Sequence, residues 1–448
     1  MSLLQNRFLR NIAALQAGGA LTSGLNFLAS VGLAHVLGSR EQGTWIVSMQ
    51  LYSLAFFVVN VGILQVVVTQ VAAASARGKS DKVAAWLAFL IKAYLGMGIF
   101  LVIAGKLALP YAVDVWRGFN PSIDPRVATW AWLLIFTPLL DIPRVCVLAA
   151  LQGTRRMVRL TQVENTGEVL RTFMVVAGAV VTGSPWGPVL GSLTATALAG
   201  LVAVELYRRA NKETDSYPLP GVRAILRRIR QVPFREGFGQ GLRFGVIRQT
   251  DALGMKILPP LIIQTFGSSE WVAYFRIAQG IMNVPLMFMQ GVSRTALPAL
   301  SELKGMRDHA LFRKLFVRAT WMGGTLITLG IALSLPLVPF LVRIMPGDYH
   351  RPVWILCLIL ALGYVPIAYT ITLDSFYLLT AQLRMGMIIA VGGFLVSTPL
   401  SMFLASQLPR TGAAWGLVGT TMVSFVHFFY VWWYFRHDPE LAPCASSS

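Results

Sequence analysis

The chain is poor in charge, and poorest in acid. Charged residues make up 13% of its 448 positions, and 19 Asp and Glu stand against 38 Lys and Arg. A soluble domain carries roughly 25% charged residues. With 55% hydrophobic residues, the composition excludes a soluble enzyme and a disordered chain. Cysteine is scarce as well. Cys146, Cys357 and Cys444 are scattered, which excludes a disulfide framework and a cysteine metal site. No G-x-x-x-x-G-K-[ST] stretch is present, so ATP hydrolysis by that route is excluded. The sequence has no His/Cys metal spacing and no Ser/His/Asp set, and neither a metal nor a cofactor is expected. The period-2 alternation of a membrane β-barrel is missing too.

What the chain does have is long apolar runs. Runs of 20 or more residues recur from end to end, each able to cross a hydrocarbon core of about 30 Å. Twelve spans are expected: 13–37, 44–73, 83–105, 129–151, 161–183, 187–207, 241–265, 272–300, 316–342, 353–379, 386–406 and 412–435. The fold class is therefore all-α, a polytopic membrane protein of about 12 transmembrane helices. The first run follows Arg7 and Arg10 as a signal peptide would, but it is too long and lacks a clean small-residue cleavage site. It reads as an uncleaved span.

The net charge of +19 suggests nucleic acid until the charges are placed. Segments outside the spans and at their edges alternate in basic content, one set holding 24 Lys and Arg and the other 7. The positive-inside rule puts both termini in the cytoplasm. The basic excess is a topology signal, and no nucleic-acid partner is expected.

An internal repeat organises the whole. Residues 182–189 read TGSPWGPV and residues 411–418 read TGAAWGLV, an offset of 229. The same offset carries Gly38 onto Gly267, Glu41 onto Glu270, Gln50 onto Gln279 and Gly62 onto Gly291. It contains six spans, an even number, so the halves share one orientation as parallel repeats. The expected domains are a six-helix lobe (1–207), a cytoplasmic linker (208–240), a second six-helix lobe (241–435) and a tail (436–448). In the linker, Val222, Ile225, Leu226, Ile229 and Val232 take a 3/4 spacing, with arginines on the other faces. That is the pattern of a basic amphipathic helix on a membrane surface, held by membrane lipids or by a partner.

Two six-span bundles, the opening NIAALQAGGALTSGLNFLASVGLAHVLGSREQGTW and the second-span ending VGILQVVVTQVAAASARG together resemble the polysaccharide transporter family. These are Wzx-type flippases of the multidrug/oligosaccharidyl-lipid/polysaccharide (MOP) exporter superfamily. The resemblance implies two lobes around a central cavity lined by spans one, two, seven and eight. It implies a bacterial cytoplasmic (inner) membrane location and a polyprenyl-pyrophosphate-linked oligosaccharide as substrate. Transport would proceed by alternating access during surface polysaccharide biosynthesis, with other polysaccharide assembly proteins as further partners.

Ionisable residues inside spans are costly and mark cavities or pairs. On span eight, Arg276, Gln279, Asn283, Gln290 and Arg294 share one face over about 27 Å, nearly the hydrocarbon thickness. Gln50 and Asn60 on span two, Asn26 on span one, and Arg248, Asp251 and Lys256 on span seven join them. Arginine offers a pyrophosphate a planar fork of charged donors, and amides suit sugar hydroxyls. Snorkelling toward the interfaces is the competing explanation for Arg276 and Arg294. Asp141 and Arg144 on span four, with Glu164, Glu168 and Arg171 on span five, form a second cluster. It reads either as an ion-coupling site, with Asp141, Glu168 and Asp251 as candidates, or as a structural ion-pair network. The expected activity is transport without bond chemistry. Ion-coupled multidrug efflux and a membrane glycosyltransferase or polymerase are the alternatives.

Overall fold

The computed structural model describes residues 2–57, 63–154, 156–212, 219–231, 253–305, 309–380 and 382–437, with stretches such as 2–18 and 287–299 described by their backbone alone. Among the described residues every regular element is a helix. By length and composition, six of these helices are apolar enough to cross a membrane, and a bent pair makes a seventh. The chain divides into two compact units, Met1–Gln249 with Ser268–Ala273 and Thr250–Gly267 with Tyr274–Ser448.

The first unit opens with α1 (Ser2–Phe57), two helices joined at Gly38. Gly38 has φ 70° and ψ 175°, a conformation that a side chain would strain. The Gln42 amide donates across this break to the Ser30 carbonyl at 2.9 Å. α2 (Ile63–Ala76) and α3 (Ser80–Phe119) follow, then α4 (Arg126–Leu134), α5 (Thr137–Leu140) and α6 (Ile142–Gly153). The last three make up the expected span 129–151, which the structure breaks and bends by 45° at Asp141. Pro138 and Pro143 explain the break, since each removes an N–H donor from the helical ladder. α7 (Met157–Thr182) and α8 (Trp186–Lys212) complete the lobe. Met157–Thr182 is long enough to span, but its charged residues keep it outside the apolar set.

The two repeat motifs do the same work in each lobe. Gly187 lies so close to α7 that an added Cβ would sit 2.0 Å from the Gly178 carbonyl oxygen. In the second lobe α16 (Leu383–Gln407) meets α17 (Gly412–Thr421) in the same way. There a Cβ on Gly416 would sit 2.2 Å from Ser401 Oγ. Glycine at these positions lets two backbones touch, the usual device for packing helices without a hydrophobic driving force.

The linker helix α9 (Val222–Arg228) carries the start of the expected amphipathic stripe. Val222, Ile225 and Ile229 pack on the buried core of the first lobe, with Val83, Leu151 and Tyr207, while Leu226 is exposed. The Tyr207 hydroxyl donates to the Pro220 carbonyl at 2.6 Å, and Arg228 donates to Asp81 at 2.8 Å. A second anchor holds the turn before α4. Asp124 accepts from Arg126 at 2.5 Å, and Arg126 rests over the Trp130 ring at 5.0 Å. Partial burial alone would raise the Asp124 carboxyl, but hydrogen bonds and charge from Arg126 outweigh it and hold it below the usual range.

The second unit starts with a π-helical turn, Leu253–Ile257, running into α10 (Leu258–Phe266). Gly267, the repeat partner of Gly38, again separates the first two spans, ahead of α11 (Ser269–Gly305). α12 (His309–Ser334), a 3-10 turn and α13 (Val338–Arg343) cover the expected span 316–342. The expected span 353–379 is broken into α14 (His350–Ala368) and α15 (Leu373–Leu379). α16, α17 and α18 (Val423–His437) follow.

Candidate functional site

In the first lobe the polar cluster is built around the bend. Asp141 sits between α5 and α6 with Arg144 one turn further on. The Arg144 guanidinium donates to both carboxylate oxygens, from Nε at 2.6 Å and from Nη2 at 2.8 Å. On α7, Arg171 donates to Glu168 Oε2 from Nη2 at 2.7 Å and from Nε at 3.1 Å. The same Nη2 reaches Asn26 Oδ1 on α1 at 2.8 Å, tying the first span to the fifth.

Arg144 Nη1 lies 3.5 Å from where a Cβ on Gly167 would stand, so the absent side chain leaves room for the guanidinium against α7. Glu164 and Glu168 both act on Arg144 electrostatically, and Glu168 acts on Asp141. Asp141 also acts electrostatically on Tyr52 of α1 and on Tyr94 of α3. Asp141 and Glu168 are each closed onto an arginine of their own helix, one turn away, because i,i+3 neighbours share a face, while Glu164 and Glu168 of α7 also act on Arg144 of α6. Asp141 and Glu168 are each neutralised locally, and Gln50 on α1 is buried with 6% of its surface exposed.

The second-lobe cluster grows from a defect in the helix ladder. Pro259 lacks the N–H that would bond the Met255 carbonyl in α-helical register, and Pro260 lacks the one that would bond it in π register. The Met255 oxygen is thus freed inside a membrane span, where an unsatisfied carbonyl costs several kcal/mol. Gln279 fills the gap, its Nε2 donating to that oxygen at 2.8 Å. Its Oε1 accepts from Arg276 Nη1 at 2.8 Å, and the Tyr364 hydroxyl bonds the same side chain. With both ends of its amide engaged and 1% of its surface exposed, Gln279 is locked.

Arg276 and Lys256 are exposed on this lobe, and the charge that bears on Lys256 is Arg276, another cation. Asn283 lies one turn beyond Gln279, half-buried. The structure therefore brings together Lys256, Arg276 and Gln279. Gln290 and Arg294 follow on the α11 backbone with side chains outside the described residues, where Arg248, Asp251 and Asn60 also lie. Sequence reasoning missed Tyr364, Tyr52, Tyr94 and the Met255 carbonyl. The Pro-Pro pair beside Lys256 was the available signal, because adjacent prolines in a span always release carbonyls that something must satisfy.

A family model described as polysaccharide biosynthesis protein matches residues 8–304. A comparison with curated proteins finds no match. Among solved structures, the chain is similar to an outward-facing multidrug resistance MATE family transporter of the MOP superfamily, with a TM-score of 0.64, 13% identity and 94% of each chain covered. An inward-facing transporter of that family gives 0.63 at 15% identity, covering 94% of this chain and 93% of its own. A MOP superfamily transporter from Pyrococcus furiosus gives 0.56 at 15% identity with 94% of each chain covered, and a reverse polarity of its binding pocket is described as suggesting a different function. At these identities the likeness establishes the fold.

Proposed function

The chain belongs to the polysaccharide biosynthesis protein family, and on that premise we propose that it is a flippase for a polyprenyl-pyrophosphate-linked oligosaccharide. It would act in the bacterial cytoplasmic membrane by alternating access, making and breaking no covalent bond. The observation that carries this reading is the Arg276 guanidinium, exposed on a membrane-spanning lobe and aimed by its bond to Gln279, with Lys256 close enough to feel its charge. Two neighbouring cations attract a doubly charged anion. A pyrophosphate has the charge and the oxygens to meet both, with Arg276 supplying the planar fork and Lys256 a point charge.

Gln279 is already bonded at both ends, so its role is to hold Arg276, not to touch sugar. Asn283, Gln290 and Arg294 on the same helix, with Arg248 on span seven and Asn26, Gln50 and Asn60 in the first lobe, remain the candidates for the glycan and the rest of the phosphate. Asp141, Glu168 and Asp251 are the candidates for ion coupling.

The fold's likeness to multidrug transporters supports efflux as a second reading. A cationic drug needs an unpaired carboxylate, however, and Asp141 and Glu168 are each closed onto an arginine. Deleting the gene decides between the two. Loss of a surface polysaccharide, with its lipid-linked precursor held on the cytoplasmic leaflet and dye sensitivity unchanged, is the expected result. Normal surface glycan with a dye-sensitive strain overturns the flippase reading in favour of efflux.

A further inference from the structure

Both lobes break their fourth span at the same repeat position. The first bends at Asp141, and the second turns at Tyr369–Thr372, with Thr370 lying 229 residues after Asp141. The chemistry at the two breaks differs. Asp141 and Arg144 correspond to Thr370 and Leu373, so the charged pair has no counterpart in the second lobe. That lobe carries a titratable pair of its own just past the break. The Tyr377 hydroxyl on α15 lies 2.7 Å from His427 Nδ1 on α18, with the rings edge to face at 5.6 Å. The matching positions in the first lobe are Leu148 and Leu198, which cannot titrate.

His427 stands ten residues before the end of α18 at His437. At 1.5 Å per residue that is about 15 Å, roughly the middle of a 30 Å bilayer. The surroundings are aromatic. Tyr430 stacks on Tyr377 at 6.2 Å and donates to Gln382 at 3.0 Å, and Phe376 and Phe435 pack beyond it. α12 contributes Arg313, which lies over the Phe435 ring at 5.8 Å, along with Lys314 and Arg318. α16 contributes Arg384 at its exposed start, and α14 contributes Tyr364, Cys357 and, at its far end, His350 and Arg351. α17 has no titratable residue, and Asp374 on α15, like Glu302 and Lys304 on α11, whose Leu300 joins the same core, has a side chain outside the described residues. Among the described residues no charged group acts on His427, and burial is what bears on it.

We propose that His427 is a proton-binding site, and that its hydrogen bond to Tyr377 latches the second half of the broken tenth span onto the last span. Histidine is the side chain whose unperturbed titration falls between about pH 5 and 8, and an ionisable residue at membrane depth is costly unless it has work to do. In the neutral ring Nδ1 can accept from the Tyr377 hydroxyl while Nε2 carries the ring's one proton. A proton makes both ring nitrogens donors, so the Tyr377 hydroxyl must turn from donor to acceptor, and it puts a full charge among aromatic side chains where no described residue supplies an anion. Proton uptake therefore favours release of α15 from α18, and proton loss re-forms the latch. Use of this latch to drive transport rests on the flippase reading, whereas the latch itself does not.

Hydrogen exchange on the full chain in neutral-lipid nanodiscs tests it, between about pH 8 and pH 5 with rates corrected for their intrinsic pH dependence. Amides in 371–382 should exchange at least ~10-fold faster at the acid end, with a single midpoint. His427→Gln should lose the step, Tyr377→Phe should exchange fast at both ends, and Asp374→Asn should keep the wild-type step. An unchanged step in His427→Gln overturns the proposal, as does its loss in Asp374→Asn alone or a flat wild-type profile. If His427→Gln does not accumulate, slow exchange of Tyr377→Phe at both ends overturns it as well. Gene deletion with normal surface glycan would remove the flippase reading and leave this result standing.

Discussion

At the scale of single residues, the second-lobe cluster depends on one amide. Gln279 satisfies a carbonyl released by two prolines and aims Arg276 at the same time. Gln279→Leu would fill the space and break both bonds. It leaves the Met255 oxygen without its partner at membrane depth, at about 1–3 kcal/mol, and frees Arg276 to swing. We expect this variant to reach the membrane with a lowered melting temperature and to export glycan as poorly as Arg276→Ala. Arg276→Lys should recover only part of the export, since it keeps charge and loses the fork. Normal export in all three variants would leave snorkelling as the whole explanation for Arg276. Arg276, Gln279 and Lys256 were legible in the sequence because polar residues on a helical stripe stand out in an apolar chain. Gln279's actual task was not legible, because an amide that holds a cation and one that meets a sugar have the same spacing.

At the scale of elements, periodicity located the spans and could not locate their breaks. Apolar runs 129–151 and 353–379 look continuous in hydropathy, yet the structure interrupts both, at Asp141 and at Tyr369–Thr372. Hydropathy measures transfer into lipid, whereas a break depends on which N–H donors are missing and what replaces them. Proline carries that information in 138 and 143. In the second lobe it is spread over packing, with a Cβ on Gly324 blocked by the Tyr369 ring at 2.3 Å. The linker helix shows a related limit. An amphipathic stripe shows that a face is to be covered and does not say by what, and here the first lobe's own core takes Val222, Ile225 and Ile229 while Leu226 stays exposed. Pro259 and Pro260 give the sharpest element-scale test. Replacing both with alanine restores the donors to Met255, favours regular α-helix over the π turn and rotates Lys256 relative to Arg276. Export should fall while the melting temperature holds or rises. If export is unchanged, the π turn has no part in placing Lys256.

At the scale of the molecule, the repeat and the charge pattern constrain each other. An offset of six spans requires both lobes to point the same way, and matching glycine contacts at Gly187 and Gly416 show the same hairpin in each. Parallel lobes put corresponding turns on one side, so the basic residues should accumulate there in both halves. The division of 24 against 7 has that form. Orientation decides which side the substrate enters, because a precursor assembled in the cytoplasm must first meet a cavity open to that side. A reporter fused after Lys212, at the end of α8, should therefore score as cytoplasmic, and one fused after Asn120, at the end of α3, as periplasmic. The two points lie on opposite faces only if the bent segment Arg126–Gly153, α7 and α8 amount to three crossings, an odd number. If both reporters score alike, the bent segment enters and leaves by one face, and the parallel-repeat topology fails with it. If both are reversed, the spans stand but the lobes load from the periplasm, which is incompatible with outward export of a cytoplasmic precursor.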